Sequence, residues 1–270
     1  MALTLMYITN RPDVALVAEK YGVDRIWIDL ETLGKEERQK GMNTVKSQHT
    51  VDDIRRIKPL LTRSEMLVRI DPWNENSAQE IEDVVSAGAD IIMLPMWKSA
   101  DDVQRFIRCV DGRAKTTLLL ETKEAVECLD AVLELGGFDE IHIGLNDLHL
   151  SYKLDFMFEL LANGTVEKLC RKIKEYGFPY GFGGIACLDG GLLPATNVIM
   201  EHYRLGSTRV ILSRSFCDTN FNLNYEELFE VEMKRLRDYE TSMEFLSLND
   251  FECNRKKVIE IVNRIVRNKH

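Results

Sequence analysis

Two carboxylates carry the clearest chemical signal in the sequence. Glu121 ends the apolar run 116–121, TTLLLE, and Asp147 stands two residues beyond the run 140–145, EIHIGL. Between them, residues 123–135 have helical spacing, so the stretch reads as strand, crossover, strand. The strands of such a unit run parallel, which sets both acids at carboxyl ends on one rim of a sheet. Carboxylates held side by side raise each other's pKa unless a cation lies between them. A hard divalent ion, Mg²⁺ or Mn²⁺ or a similar one, answers that need, because Mg²⁺ takes one or two carboxylates, keeps waters and leaves room for substrate oxygens. Singly, Glu121 reads as a helix cap and Asp147 as a turn former; the pair on one rim favours the metal.

The elements that must hold such a rim recur along the chain. Apolar runs at 3–9, 25–30, 66–70, 90–96, 116–121, 140–145, 180–186 and 209–214 are predicted strands, eight in all. Amphipathic segments at 13–21, 51–61, 77–87, 100–110 and 165–176 are predicted helices between them. Strands buried on both faces read as continuous apolar runs, and repeated right-handed βα units close into a (β/α)8 TIM barrel. The alternative, an open doubly wound sheet, lacks support, since the first βα turn, ITNRPD, has no glycine-rich dinucleotide fingerprint.

Composition narrows the function. A chain of 270 residues, 45% hydrophobic, can bury one large core. A net charge of −9 argues against a nucleic-acid partner, which needs a basic face. No apolar run reaches membrane-spanning length and the N-terminus lacks the features of a secretory signal, so no membrane partner and a cytoplasmic location are expected. The six cysteines are scattered, with no CxxC pair, as expected of reduced thiols packed as small hydrophobes.

As a set, the strand ends read Asp29 and Glu31, then Arg69 and Asp71, Pro95, Glu121, and Asp147. One arginine thus faces a group of acids. A guanidinium fork binds carboxylates and stabilises a developing enolate oxygen, which suits Arg69 to an anionic oxo acid. The competing reading is an ion pair with Asp29 or Glu31.

The segments WIDLE, VRI, GADIIMLP, LLLETKEAV and IGLNDLHLS resemble, in order and spacing, the HpcH/HpaI aldolase and citrate lyase β-subunit family, over residues 4–217. The resemblance implies a metal-dependent carbon–carbon lyase on a (β/α)8 barrel. It implies Glu121 and Asp147 as ligands of Mg²⁺ or a similar ion and Arg69 as the group on the keto oxygen. Backbone amides around Leu145 and Asn146, just before Asp147, would cradle the substrate carboxylate. The match breaks at the base: pyruvate aldolases of the family read D-G-E-H at strand two, whereas this chain reads Asp29-Leu30-Glu31-Thr32. A similar histidine-led helix start occurs at His49, displaced by the polar insertion 32–48, which is expected to form a surface loop over the barrel mouth. His49 is suited to general-base work near neutrality; its competing reading is an exposed residue at a helix start. The catalytic set is therefore Arg69, His49 and Asp29, with Arg69, Leu145, Asn146 and Asp147 on the substrate.

His142 is expected to pack in the core, His149 to line the mouth or serve structure, and the glycines of GFGGIACLDGG to allow close backbone packing. Residues 1–220 form the barrel. Residues 221–270 form two helices, about 225–242 and 250–268, whose stripes, Leu228, Val231, Met233 and Leu236, then Val258, Ile261, Val262 and Ile265, ask for a partner surface, either the barrel bottom or another subunit. A homo-oligomer is expected from the resemblance, which implies exchange of such helices between subunits. The expected reaction is aldol cleavage of a small oxo acid through a pyruvate-type enolate. A CoA-thioester lyase, a phosphoenolpyruvate-mutase-like enzyme and a non-catalytic binding barrel are the alternatives, the last supported by the missing E-H pair.

Overall fold

The computed structural model describes residues 2–34, 48–213, 215–217, 219 and 224–269. The first half of the chain comprises β1 (Thr4–Ile8), α1 (Pro12–Lys20), β2 (Arg25–Asp29), α2 (Val51–Ile57), β3 (Glu65–Arg69), α3 (Ser77–Ala87), β4 (Ile91–Leu94) and α4 (Ala100–Val110). There follow β5 (Lys115–Leu120), α5 (Lys123–Glu127), α6 (Leu129–Leu135), β6 (Glu140–Ile143), α7 (Leu145–Ser151), α8 (Glu159–Ala162), α9 (Thr165–Glu175) and β7 (Tyr180–Ile185). The last elements are α10 (Ala195–Leu205), β8 (Arg209–Leu212), α11 (Tyr225–Ser242) and α12 (Leu248–Arg267). The eight strands pair in chain order, all parallel, and β8 closes on β1. The predicted (β/α)8 barrel is therefore present, each strand within a residue or two of its apolar run.

Alternation along the strands explains how the barrel is filled. Met6, Trp27, Leu67, Ile91, Met93 and Leu119 form a small buried cluster of their own, whereas Ile26, Ile28, Val68, Leu118 and Leu120 join the large core under the helices. Side chains two apart share a face, so β2, reading Arg-Ile-Trp-Ile-Asp, sends Arg25, Trp27 and Asp29 inward and both isoleucines outward. At the amino ends of the strands, Arg25 forks onto Glu140 at 2.5 and 3.0 Å, and Arg209 ion-pairs with the same carboxylate. The apolar cluster forms the middle layer, with His142, fully buried, donating from Nε2 to the Gly183 carbonyl at 3.1 Å. Burial pushes the His142 ring down to about 4, so it packs as a neutral core residue. What remains for the carboxyl ends is Asp29, Arg69 and the residues that follow β5 and β6.

Residues 123–135 form two helices, α5 and α6, meeting at Cys128. After β8, α11 packs on α1 and takes the eighth place in the ring: Lys20 reaches Glu226 at 2.8 Å and Glu240 accepts the Leu3 amide at 2.8 Å. Helix α12 lies against α10 and α8, with Asn254 donating to Glu201 at 2.9 Å and accepting from Asn197 at 2.6 Å. Met233, Leu236, Val258 and Val262 are buried within the chain itself. The stripes that ask for a partner are thus covered in part by the barrel's own flank, while Val231 of the α11 stripe is exposed, as are Phe245 and Leu248 at the α11–α12 turn. Cys170 and Cys217 are buried and Cys253 is exposed. Among the described residues no helix is long and apolar enough to cross a membrane.

Candidate active site

The parallel register sets Asp29 opposite Arg69 on neighbouring strands. The guanidinium uses the pairing fully: Nε and Nη2 donate to the two oxygens of Asp29, each at 2.9 Å, and Nη2 lies 3.2 Å from Glu31 Oε2. Trp27, one turn of the pleat below, places its ring 5.4 Å from the guanidinium carbon. Burial works to lower the Arg69 pKa, and Asp29 and Glu31 outweigh it, so the group is held charged. The sequence presented the ion pair and the substrate fork as competing roles for Arg69. The ion pair is present, and Nη1 takes no part in it.

Glu121, 3% exposed, follows β5 directly. Its Oε1 accepts the amide of Met96 at 3.2 Å. Its other oxygen lies against Gly144, where a Cβ would stand 2.7 Å from Oε2 and 2.9 Å from the Glu121 Cβ. Only glycine at 144 leaves space for this carboxylate, and Asp147 is three residues further on. Among the described residues, the carboxylates of Asp29, Glu31 and Glu121 lie close to the one guanidinium of Arg69, and Asp147 lies close to Glu121. The crowding is felt at Glu121, whose pKa is raised well above the usual carboxylate range by burial first and then by the charge of Asp147, with Glu31 adding to it.

That crowding of buried negative charge, with hard oxygen donors and a carboxylate cradled by Gly144, fits a divalent cation. Among the described residues no group of three or more His, Cys, Asp or Glu is assembled as a cation site. A pair of carboxylates with water completing the shell is nevertheless what Mg²⁺ commonly takes.

His49 reaches the same rim from the far side of the insertion. The Asp29 amide donates to its Nδ1 at 3.0 Å, and Thr50 with Asp53 forms the capping box that starts α2. An acceptor Nδ1 puts the proton of the neutral ring on Nε2. Thr32, at the position of the family histidine, is held away by Asp71, whose Oδ1 accepts the amides of Thr32 at 2.6 Å and Leu33 at 2.8 Å. Of the expected loop 32–48, residues 35–47 lie outside the described part of the chain. Leu145 and Asn146 open α7, the first buried and the second exposed, and Gly183, at φ 52°, has no room for a Cβ because Leu145 Cδ1 would be 2.7 Å away. His149 turns back to the carbonyls of Leu145 and Asn146 in its own helix.

Glu31, read from sequence as a strand-end acid and a candidate partner of Arg69, is that partner together with Asp29. Two contributors, Gly144 and Met96, carry no mark in the sequence, since their importance lies in what they touch.

Behind Asp71 stands Glu80 of α3, accepting the Asp71 amide at 3.0 Å. Burial, with help from Asp71 and Asp83, pushes its pKa from 4.5 to about 7. A carboxyl whose folded pKa is raised contributes stability below its unfolded value, and that contribution is lost as pH rises through the folded one. Glu80→Gln is therefore expected to be more stable than wild type at about pH 8 and to match it at about pH 4, with urea melts as the measurement. A constant difference across that range would show that Glu80 does not titrate late.

A closed parallel barrel whose carboxyl-end mouth holds acids and one arginine has the form of a barrel enzyme. The HpcH/HpaI aldolase/citrate lyase family model matches residues 3–156, more than half of the chain. The chain belongs to this family, and its activity is that of a lyase of the aldolase or citrate lyase type. Solved structures agree in fold. An HpcH/HpaI aldolase from Desulfitobacterium hafniense DCB-2 superposes with a TM-score of 0.62 at 16% identity, covering 78% of this chain and 86% of that one. An HpcH/HpaI aldolase/citrate lyase family protein from Burkholderia cenocepacia J2315 gives 0.61 at 13% identity, covering 88% and 94%. The citrate synthase SbnG gives 0.59 at 14% identity, covering 78% and 86%. A sequence comparison with curated proteins finds no match.

Proposed function

We propose that the protein is a divalent-cation-dependent aldolase that cleaves a small 2-oxo acid through a pyruvate-type enolate. The observation that carries this reading is the buried carboxylate of Glu121, cradled against Gly144 and close to Asp147, with Arg69 held charged on the same rim. Glu121 and Asp147 would hold the cation, Mg²⁺ or Mn²⁺, which supplies Lewis-acid polarisation of the 2-oxo group when bound. Arg69, kept charged and oriented by Asp29 and Glu31, would offer its remaining N–H groups to stabilise oxygen charge as the enolate forms. Asp29 serves by orienting Arg69 and, through its amide, His49. Amides at Leu145 and Asn146 would take the substrate carboxylate, as the family resemblance implies.

Aldol cleavage breaks a carbon–carbon bond while a hydroxyl proton leaves; the bonding pair moves to the enolate, which then takes a proton at its methylene carbon. His49 or a water accepts the hydroxyl proton. For His49 to do so at Nε2, its ring must release the Asp29 amide, because the neutral ring already carries a proton there. Decarboxylation of oxaloacetate reaches the same enolate with CO₂ leaving and no hydroxyl to deprotonate. His49→Ala is therefore expected to slow cleavage of a 4-hydroxy-2-oxo acid by about a hundredfold to ten-thousandfold while leaving decarboxylation nearly unchanged. Equal loss of both activities would assign His49 a structural role, and no loss of either would leave the proton to water. Wild type that shows neither activity with Mg²⁺ or Mn²⁺ ends the aldolase reading.

A further inference from the structure

Met96 has φ 52°, left-handed backbone at a residue with a side chain, immediately after Pro95 at the end of β4. Such a conformation persists only where its surroundings hold it. Here it directs the Met96 amide to Glu121 Oε1 at 3.2 Å. The next carbonyl, of buried Trp97, accepts the Thr122 hydroxyl at 2.8 Å, and Thr122 Oγ accepts the Ala125 amide at 3.0 Å, capping α5. Two consecutive residues of the β4 loop thus grip the two consecutive residues that follow β5. The grip is asymmetric at the carboxylate. Oε1 is engaged from the β4 side, and Oε2 faces Gly144, on the β6 side that carries Asp147.

We infer that Met96 is a positioning residue for Glu121: the left-handed turn of its backbone aims its amide at Oε1 and so presents Oε2 to the β6 end of the rim. The inference rests on the reading of Glu121 as a cation ligand. The Met96 side chain is half-buried, and the contact with Glu121 is made by the backbone amide. Backbone conformation is what matters, and substitutions separate the two. Glycine adopts positive φ freely, whereas β-branched valine resists it strongly.

Mn²⁺ affinity of the purified protein, read by calorimetry, is expected to stay within about twofold of wild type in Met96→Gly and to weaken by about tenfold or more in Met96→Val. A packing role for the side chain gives the reverse order, with Val tolerated and Gly impaired, and that result overturns the inference. A second readout needs no metal. Amide exchange at Met96 is expected to be slow in the metal-free wild type and at least about tenfold faster in Glu121→Ala, which removes its acceptor. If wild type binds no Mn²⁺, the cation reading fails on its own, and the amide then decides: lost protection upholds the grip on Glu121, and unchanged protection overturns it.

Discussion

Glu121→Gln and Asp147→Asn are each expected to abolish measurable binding of Mg²⁺ and Mn²⁺, with calorimetry on the wild type and both variants as the measurement. With only two carboxylates to hold the ion, removing either charge takes away half of the protein's share of the shell. The acids Asp29 and Glu31 cannot substitute, since both are committed to Arg69 at 2.9 and 3.2 Å. Glu121→Gln has a second expected effect, opposite in sign. Glu121 ionises reluctantly in the folded chain, so its stabilising contribution is present below the ordinary carboxylate range and lost above it. At neutral pH the metal-free Gln variant should therefore melt higher than metal-free wild type. Undiminished metal affinity in both variants removes the site; a lower melting temperature in Glu121→Gln contradicts the electrostatic strain.

Arg69 is expected to matter twice. In Arg69→Ala the carboxylates of Asp29 and Glu31, 3% and 2% exposed, lose their counter-charge, and breaking a buried pair from one side costs about 3–5 kcal/mol. A cost of that size threatens folding itself, so Arg69→Lys is the informative variant. Lysine keeps the charge but cannot fork onto Asp29 and still address the mouth. Its decarboxylation and aldol rates should fall together, by about a hundredfold or more, with a much smaller change in thermal stability than Arg69→Ala. Full activity in a folded Arg69→Lys would reduce Arg69 to a structural ion pair.

Much of this arrangement was legible in the sequence, for physical reasons. Strands buried on both faces read as largely apolar runs, so all eight announced themselves, and the acids Asp29 and Glu31 at the end of the second run were already marked for the mouth. The parallel crossover alone put Glu121 and Asp147 on one rim. Other features depend on contacts across the fold. Met96 follows a proline and precedes a tryptophan, a context with no glycine to betray a left-handed residue. Gly144 reads as one more small residue until Glu121 is known to lie beside it. The two roles of Arg69 looked exclusive because a sequence does not show which nitrogen faces which partner. An amphipathic stripe such as that of Val258 and Val262 says that it must be covered and is silent on which chain covers it.

The most direct test is exchange of the methyl protons of pyruvate with deuterated solvent, followed by proton NMR in the presence of Mg²⁺. Exchange requires the cation site, Arg69, and a proton acceptor, a water or His49, that takes the methyl proton to solvent and lets deuterium return to the enolate carbon; it is indifferent to the aldehyde partner. The expected result is loss of the methyl signal with wild type, well above the rate with Mg²⁺ alone, and abolition of that excess in Glu121→Gln and Arg69→Lys. A metal-loaded wild type that exchanges no faster than Mg²⁺ in buffer would contradict the pyruvate-enolate chemistry assigned to this barrel.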